Sequence, residues 1–414
     1  MSYRKHLLTN VNWVVSANIF VGIINFFAIA WFARRLGPTV MGNYAVVVTA
    51  LQLISAFLSA GFDQAVIRDP KNSELLAAAN IATTGQSILL LVISCIVYFM
   101  YYLQSPIEAL QILYPAGLVF GSIVFSLYGN LFAAPIAANL NYRYLSTVRL
   151  VSTLAGVGVG IILIGLETGI YALAARDIIA ALIMLFFVRA KSFNRLGWNA
   201  SRFGFAQLTK FASGMWGLNL LERVALRLDY ALIGILFGKE IMGMYFVVRG
   251  LVEGVLGFLV TPVQTVFYAY YCRLQDKTRI ISIILKRLSF AYYGICLLLV
   301  VISFYVTPKI LPLLLGVDYQ GAFLIVPGLV VYAGSILWFE NLKVLAMSQH
   351  KHHTMVAARL MQIGILLLSI YPLTKAFGLL GAGFASGVSA LALGWFASIR
   401  YWIRSRSSDL SIII

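Results

Sequence analysis

Long apolar runs separated by short polar connections make up almost the whole chain, and they predict its elements. Twelve of these runs reach about the 20 residues that a helix needs to cross the hydrocarbon of a bilayer. They lie near 11–33, 41–62, 76–103, 109–132, 146–166, 169–189, 212–237, 241–268, 288–307, 321–346, 354–374 and 377–401. Because the runs lack the alternation of barrel strands, they predict an all-α integral membrane protein with twelve transmembrane helices.

The composition indicates that lipid surrounds most of the chain. Of its 414 residues, 61% are hydrophobic and 11% are charged, whereas a soluble protein carries about 25% charged residues. The net charge of +17 comes from basic residues in short connections and not from a basic domain, so we expect no nucleic-acid partner.

Cys95, Cys272 and Cys296 are widely spaced and predict neither a disulfide framework nor a metal site. No cofactor is expected.

Lysine and arginine are distributed unevenly between alternate connections. If both termini are cytoplasmic, the N-terminus, the even-numbered connections and the C-terminal tail hold nineteen of the 31 Lys and Arg residues, and the odd-numbered connections hold five. This bias follows the positive-inside rule. The first apolar run is longer than the core of a signal peptide and lacks a convincing cleavage site, so we interpret it as a retained span. The chain is expected to be multi-pass with both termini cytoplasmic.

Two similar stretches lie at the same topological place in each half of the chain. "RLGPTVMGNYAVV" (35–47) joins predicted spans 1 and 2, and "LFGKEIMGMYFVV" (236–248) joins spans 7 and 8. A weaker pair, "GIYALAA" (169–175) and "GLLGAGFA" (378–385), opens spans 6 and 12. Six spans per half give both halves one orientation, so the repeat is parallel. We predict a six-helix lobe at 1–189, a basic cytoplasmic linker at 190–210 and a second six-helix lobe at 211–414.

The stretch "ARRLGPTVMGNYAVVVTALQLISAFLSAGFDQAVIRD" (33–69) resembles the opening of polysaccharide flippases, the Wzx-type branch of the MOP superfamily. Similar stretches continue at 140–186, 228–251 and 377–393. The resemblance implies a MOP/MATE-like fold and export of a polyprenyl-diphosphate-linked oligosaccharide across the inner membrane. Surface polysaccharide (O-antigen, exopolysaccharide or capsule) is the implied product, with polysaccharide assembly proteins as partners beside membrane lipid. The shared motifs are turns and small-residue packing positions, so they specify the fold better than the cargo.

Ionisable residues inside the predicted spans are the candidates for a transport site. Each costs about 2.5–3.5 kcal/mol at mid-helix on insertion scales, so such residues usually face a cavity or a partner. There are twelve: Arg149, Arg176, Asp177, Glu222, Arg223, Arg227, Asp229, Arg249, Glu253, Glu340, Lys343 and Arg359. Seven are basic and five are acidic, so a cavity that they share would favour an anionic head group such as a diphosphate.

Span 7 carries two charged stripes. At 100° per residue, Glu222 and Asp229 fall about 20° apart on one stripe, and Arg223 and Arg227 fall about 40° apart on another. None of the four has an opposite charge three or four positions away, so they need a ligand or partners on other helices. Two guanidinium groups one turn apart can bind adjacent phosphate oxygens. Interhelical salt bridges between the two halves are the alternative.

The remaining polar positions have local interpretations. Arg249 and Glu253, four apart, either pair within span 8 or line the cavity, and Glu340 and Lys343 form a local pair. Asn18 and Asn25 share a face of span 1, as interhelical polar contacts or as a sugar-facing wall. For two further residues, we expect the side chain to extend to the membrane surface. They are Arg149 and Arg359.

A transporter that works by alternating access between the two halves is the predicted function. A MATE-type small-molecule antiporter or a peptidoglycan-precursor flippase on the same fold is the alternative. A polytopic polysaccharide polymerase or glycosyltransferase is less expected, because the chain lacks a sizeable extracytoplasmic loop, an Asp-x-Asp motif, a HExxH motif and a P-loop. We therefore expect no enzymatic activity.

Overall fold

The computed structural model describes residues 3–58, 61–69, 72–192, 200–262, 278–348 and 353–410. Its helices are α1 (Tyr3–Leu58), α2 (Phe62–Arg68), α3 (Ser73–Gln104), α4 (Pro106–Ala138), α5 (Tyr142–Gly165), α6 (Ile170–Ser192), α7 (Arg202–Phe237), α8 (Lys239–Pro262), α9 (Thr278–Leu315), α10 (Val326–Ser348) and α11 (His353–Leu410). Two short 3₁₀ turns, Val317–Tyr319 and Ala322–Ile325, join α9 to α10. These residues contain no strand, which confirms the all-α prediction.

Eight helices in the described part of the chain are long and apolar enough to cross a membrane. The protein is therefore a multi-pass membrane protein. Two of the eight, α1 and α11, contain a non-helical glycine, Gly37 and Gly378. If each break separates two crossings and α7 and α8 also cross, the long helical segments correspond to the twelve predicted runs. The exact number of crossings stays a prediction.

The glycines of the repeated stretches share a positive φ. Gly37 has a φ of 74° and Gly238 has a φ of 88°, a region that glycine enters without the steric penalty of a Cβ atom. Pro38 follows Gly37 and restarts the helix, since its φ suits the first helical position. The second repeated pair behaves alike, with Gly169 at 62° and Gly378 at 57°. The positive φ at each of these matched positions supports the internal repeat.

The chain divides into two compact units. The first comprises Met1–Ala28 and Thr39–Arg227, and the second comprises Ile29–Pro38 and Leu228–Ile414. Within the second unit, Arg34 Nη1 donates to the Leu313 carbonyl at 3.0 Å. The main boundary between the two units, between Arg227 and Leu228, falls within α7. The predicted limits of the repeat, with lobes at 1–189 and 211–414 and a linker at 190–210, stay a prediction.

The second half of the predicted linker is helical and packs on the first unit. A Cβ atom on Gly204 would lie 2.8 Å from the Glu74 carbonyl oxygen, so α7 begins in backbone contact with α3. Asn72 Nδ2 donates to Gln207 Oε1 at 3.1 Å, and Leu208 lies in a buried cluster with Leu75. Residues 202–210 are therefore a docked helix. Residues 193–199 lie outside the described ranges.

Close helix packing in the second unit depends on small residues. A Cβ atom on Gly387 of α11 would lie 2.6 Å from the Gly328 carbonyl oxygen of α10, and one on Gly394 would lie 3.2 Å from Trp338 Cδ1. In lipid, such close approach provides the van der Waals contact that holds helices together. The small-residue composition of the stretch after Gly378 therefore has a packing role.

Candidate functional site

A buried arginine lies at the centre of a polar network in the second unit. Arg249 on α8 is 1% exposed and forms an ion pair with Asp229 on α7, whose side chain is 2% exposed. Its Nε donates to Glu253 Oε1 at 3.0 Å, one turn along α8. The sequence predicted that Asp229 needs a partner on another helix or a ligand, and Arg249 is that partner. Arg249 and Glu253 also pair within α8, as one of their two interpretations predicted, and their role in lining a cavity stays a prediction.

Three hydroxyl groups complete this network, which we call the Arg249 network. Arg249 Nη1 donates to Tyr245 OH at 3.0 Å and Arg249 Nη2 donates to Tyr332 OH at 2.9 Å. Tyr245 OH in turn donates to Asp229 Oδ2 at 2.6 Å, and Ser386 Oγ donates to the same oxygen at 3.2 Å. Because these residues come from α7, α8, α10 and α11, the network joins four helices.

Aromatic rings enclose the guanidinium of Arg249. Its Cζ lies 4.3 Å from the centroid of the Tyr332 ring and 5.0 Å from that of Tyr230, within the range of cation–π attraction. The guanidinium thus has two carboxylates, two phenols and the faces of rings as neighbours. Glu253 is the accessible carboxylate, with its side chain 31% exposed.

The first unit contains a smaller arrangement around the corresponding tyrosine. Tyr44 occupies the position in the repeat that Tyr245 occupies in the second half, and its hydroxyl donates to the Asp177 carboxylate. Arg176 Nη2 lies 2.8 Å from Asp177 Oδ1 and 3.3 Å from Tyr44 OH. In both units, the tyrosine of the repeated stretch bonds a side chain of the helix region that follows the second repeated glycine.

The other predicted site residues on α7 lie in the first unit. Arg223 is exposed, and Glu222 and Arg227 are half-buried. Asp229, two residues beyond Arg227, lies in the second unit. The structure therefore brings Asp229, Arg249 and Glu253 together in one network. The ligand-binding role of Arg223 and Arg227 stays a prediction.

The predicted sugar-facing residues Asn18 and Asn25 are both half-buried on α1. Asn18 Oδ1 accepts a hydrogen bond from Arg149 Nη1 on α5 at 3.3 Å. Arg149 is exposed and is held by a polar residue of a neighbouring helix. This bond is an interhelical polar contact, as one interpretation of Asn18 predicted, and the sugar-facing role of both asparagines stays a prediction.

The expectation that the Arg359 side chain extends to the membrane surface is wrong. Arg359 is 3% exposed, donates to Gln362 Oε1 at 2.9 Å and pairs with Glu340 at 3.6 Å. The local pair of Glu340 and Lys343 is confirmed, at 3.5 Å. The sequence position of Arg359, near a helix end, does not reveal that α10 places the Glu340 carboxylate beside it.

Sequence reasoning missed the hydroxyl groups that bind these charges. Tyr44 and Tyr245 had a signal, since both are identities of the repeated stretch. Tyr332 and Ser386 had none, because single polar residues in apolar helices acquire a role only from the helix packed against them.

A family model described as "Polysaccharide biosynthesis protein" matches residues 31–323, well over half of the chain. The chain belongs to this family. The resemblance to polysaccharide flippases is thereby confirmed at the level of the polysaccharide biosynthesis family. No curated protein matches the chain.

Solved structures show that this family member has the fold of MOP superfamily transporters. The chain is similar to the lipid II flippase MurJ in an inward closed conformation, with a TM-score of 0.75 and 13% identity over 94% of this chain and 87% of that one. It also resembles the MATE transporter VcmN of Vibrio cholerae, with a TM-score of 0.62 and 14% identity over 97% and 98%. A MOP superfamily transporter from Pyrococcus furiosus matches with a TM-score of 0.60 and 11% identity over 97% and 96%. The predicted MOP/MATE-like fold is confirmed.

Proposed function

We propose that the protein flips polyprenyl-diphosphate-linked oligosaccharide units across the cytoplasmic (inner) membrane. The observation that carries this proposal is the match to the polysaccharide biosynthesis family over residues 31–323, in a chain with a transporter fold. The structural neighbour with a TM-score of 0.75 is named a lipid II flippase, which supports a lipid-linked substrate. The proposed role is assembly of surface polysaccharide (O-antigen, exopolysaccharide or capsule) together with polysaccharide assembly proteins.

The charges inside the helices support an anionic head group as cargo. Seven of the twelve ionisable residues in the predicted spans are basic. Arg223 is exposed on α7, and a charged side chain within a spanning helix is stable where it meets water, a ligand or a partner and not lipid tails. We propose that Arg223 and Arg227 bind the diphosphate through their guanidinium groups. Asn18 and Asn25, on α1 of the same unit, then offer hydrogen-bond acceptors and donors to the sugar.

The proposed mechanism is alternating access between the two six-helix halves, with the prenyl tail remaining in lipid. No bond of the substrate is made or broken in this scheme, so the protein acts as a transporter and not as an enzyme. Both termini are placed on the cytoplasmic side, as the distribution of Lys and Arg indicates.

Mass spectrometry of polyprenyl lipids tests the proposal directly. Cells with and without the protein are extracted, and each extract is paired with an assay of surface polysaccharide. We expect complete oligosaccharide on diphosphate lipid to accumulate as the surface polymer disappears. Unchanged lipid pools with intact polymer would overturn the proposal and favour a MATE-type small-molecule antiporter.

A peptidoglycan-precursor flippase is the second candidate, because one structural neighbour is named a lipid II flippase. The same extracts distinguish it from the first. Accumulation of lipid II, with the other lipid-linked oligosaccharides unchanged, would replace the proposed cargo by the peptidoglycan precursor while the flippase mechanism remained.

Loss of the two arginines of α7 is expected to impair export. Arg223→Ala and Arg227→Ala should each lower the export rate about tenfold or more, since a hydrogen bond to a charged group contributes about 1.5–3 kcal/mol. The rate is measured as surface polymer formed per unit of protein in the membrane. Lysine at either position keeps the charge and loses the bidentate geometry, so it should restore only part of the rate.

Arg202→Ala is the matched control, because Arg202 is an exposed arginine in the first turn of the same helix. It should leave export unchanged. Normal export by the Arg223 and Arg227 variants at normal protein levels would reject the phosphate-binding role of these arginines and leave the flippase proposal standing.

A further inference from the structure

One end of the first unit carries exposed basic side chains that lie over aromatic rings. The pairs, measured from the charged group to the ring centroid, are Lys191 over Tyr144 at 4.0 Å, Arg143 over Trp13 at 4.9 Å and Arg189 over Phe132 at 5.5 Å. All three basic side chains are exposed. Arg143 lies at the start of α5, and Arg189 and Lys191 lie at the end of α6. In the predicted topology, these two helix ends are on the same side of the membrane.

Two of the residues that carry these rings, Tyr144 and Phe132, take part in hydrogen bonds to neighbouring helices. Tyr144 OH donates to the Phe187 carbonyl at 2.7 Å. Ser192 Oγ donates to the Phe132 carbonyl at 2.8 Å. Phe132 and Val188 lie in one buried cluster, and Tyr144 packs against it. Arg189 and Lys191 therefore lie over rings of one apolar cluster formed by α4, α5 and α6. Arg143, next to Tyr144 in sequence, lies over Trp13 of α1.

The sequence around these cations contains no acid. Segments 109–166 and 178–221 have no Asp or Glu residue, so neither the helices' own turns nor the adjoining connections supply a carboxylate. Cations deeper in the protein are different, since Arg176 pairs with Asp177 and Arg249 pairs with Asp229. A ring contact engages the face of a guanidinium, while its N–H donors point outward in its plane. These donors suit an anion that arrives from outside the protein.

The positive-inside rule explains why basic residues occur near this end. It does not explain why their side chains are ordered by contacts with aromatic rings. A chain that needed only the charge count could carry it on mobile side chains. Because the ring contacts already restrict each side chain, less conformational entropy is lost when it binds an anion. Cations that ring contacts order at one end of a unit are a feature of a binding site.

We propose that Arg143, Arg189 and Lys191 form a binding site for the phosphate of an anionic phospholipid, which we call the interfacial basic site. Basic pockets between transmembrane helices recognise such head groups in general. The neighbouring side chains favour a lipid over free phosphate, because Phe186 is 70% exposed and Tyr142 is 37% exposed. Tyr142 adjoins Arg143 in sequence and Phe186 lies one helical turn before Arg189, so the acyl chains of a bound lipid could run along these apolar surfaces. The site is separate from the proposed cargo site and does not depend on it.

Lipid retention by the full-length protein tests this site. The protein is reconstituted in nanodiscs of phosphatidylcholine with increasing phosphatidylglycerol, and bound lipid is counted by native mass spectrometry. The double variant Arg189→Ala/Lys191→Ala should bind phosphatidylglycerol more weakly, by about fivefold for each cation removed. Binding to the wild-type protein should also weaken as salt is raised, since salt screens exposed charges.

Lys375→Ala is the matched control. Lys375 is exposed and lies over a ring, 5.6 Å from the centroid of Tyr371, but it belongs to the second unit. It should leave phosphatidylglycerol binding unchanged. Tyr144→Leu keeps all three cations and removes one ring, so it should give a smaller loss than the double variant.

Two results would overturn the proposal. One is equal binding of phosphatidylglycerol by the wild-type protein and a correctly folded double variant, judged by an unchanged elution profile. The other is displacement of phosphatidylglycerol by inorganic phosphate at the same concentration, which would show that the cations bind free phosphate and that the lipid contributes nothing.

Discussion

Arg249→Ala is expected to destabilise the protein by about 3–5 kcal/mol, the cost of removing one partner of a buried ion pair. The loss should be large because the Asp229 carboxylate, with a 2% exposed side chain, would lose the cation that compensates its burial. Contacts of the guanidinium with the Tyr230 and Tyr332 rings would be lost as well. The measurement is the midpoint of thermal unfolding in detergent, together with the yield of monodisperse protein.

A paired variant separates the charge effect from lost packing. Arg249→Met combined with Asp229→Leu removes both charges and retains apolar volume, so it should be more stable than either single variant. Arg287→Ala, at an exposed position of α9, is the control and should leave the midpoint unchanged. Equal losses from Arg249→Ala and from the double variant would show that the ion pair is not what holds these helices.

Gly387→Leu is expected to disrupt the packing of α10 on α11. A Cβ atom there would lie 2.6 Å from the Gly328 carbonyl oxygen, and a backbone atom cannot move aside as a flexible side chain can. Overpacking typically costs about 1–3 kcal/mol, and a clash with a helix backbone belongs at the upper end of that range or beyond it. The thermal midpoint and the yield of monodisperse protein report the effect.

Gly364→Leu is the control for this substitution, because Gly364 also lies on α11 and a Cβ atom there meets nothing within 4 Å. It changes helix propensity and apolar area in the same way without the clash. A midpoint for Gly387→Leu equal to that of Gly364→Leu would contradict the close packing of the two helices.

The internal repeat was the most informative sequence signal for the site. It identified Tyr44 and Tyr245 as equivalent, and each bonds a polar side chain after the second repeated glycine, Asp177 or Ser386. The two units differ in the source of charge. Asp177 is next to Arg176 in sequence, whereas Arg249 on α8 meets Asp229 on α7. The two copies of the repeat therefore keep the same tyrosine hydrogen bond but place different charged residues around it.

Apolar run length, charge spacing and the repeat determined the membrane class, the all-helical fold and the local pairs by themselves. These properties depend on the helix period and on the cost of exposing polar backbone to lipid, which act within one segment. The spacing along α7 placed Asp229 on a stripe that needs a partner. It did not indicate which helix would supply that partner.

Only the tertiary structure decided which charges meet. Arg359 is buried because α10 places Glu340 beside it, and Tyr332 binds Arg249 across 83 positions of the chain. The ring contacts of Arg143, Arg189 and Lys191 likewise involve side chains of several helices. The helix period gives the direction in which a side chain points. The neighbouring helix that packs there determines its partner, and such interhelical contacts join residues that are distant in sequence.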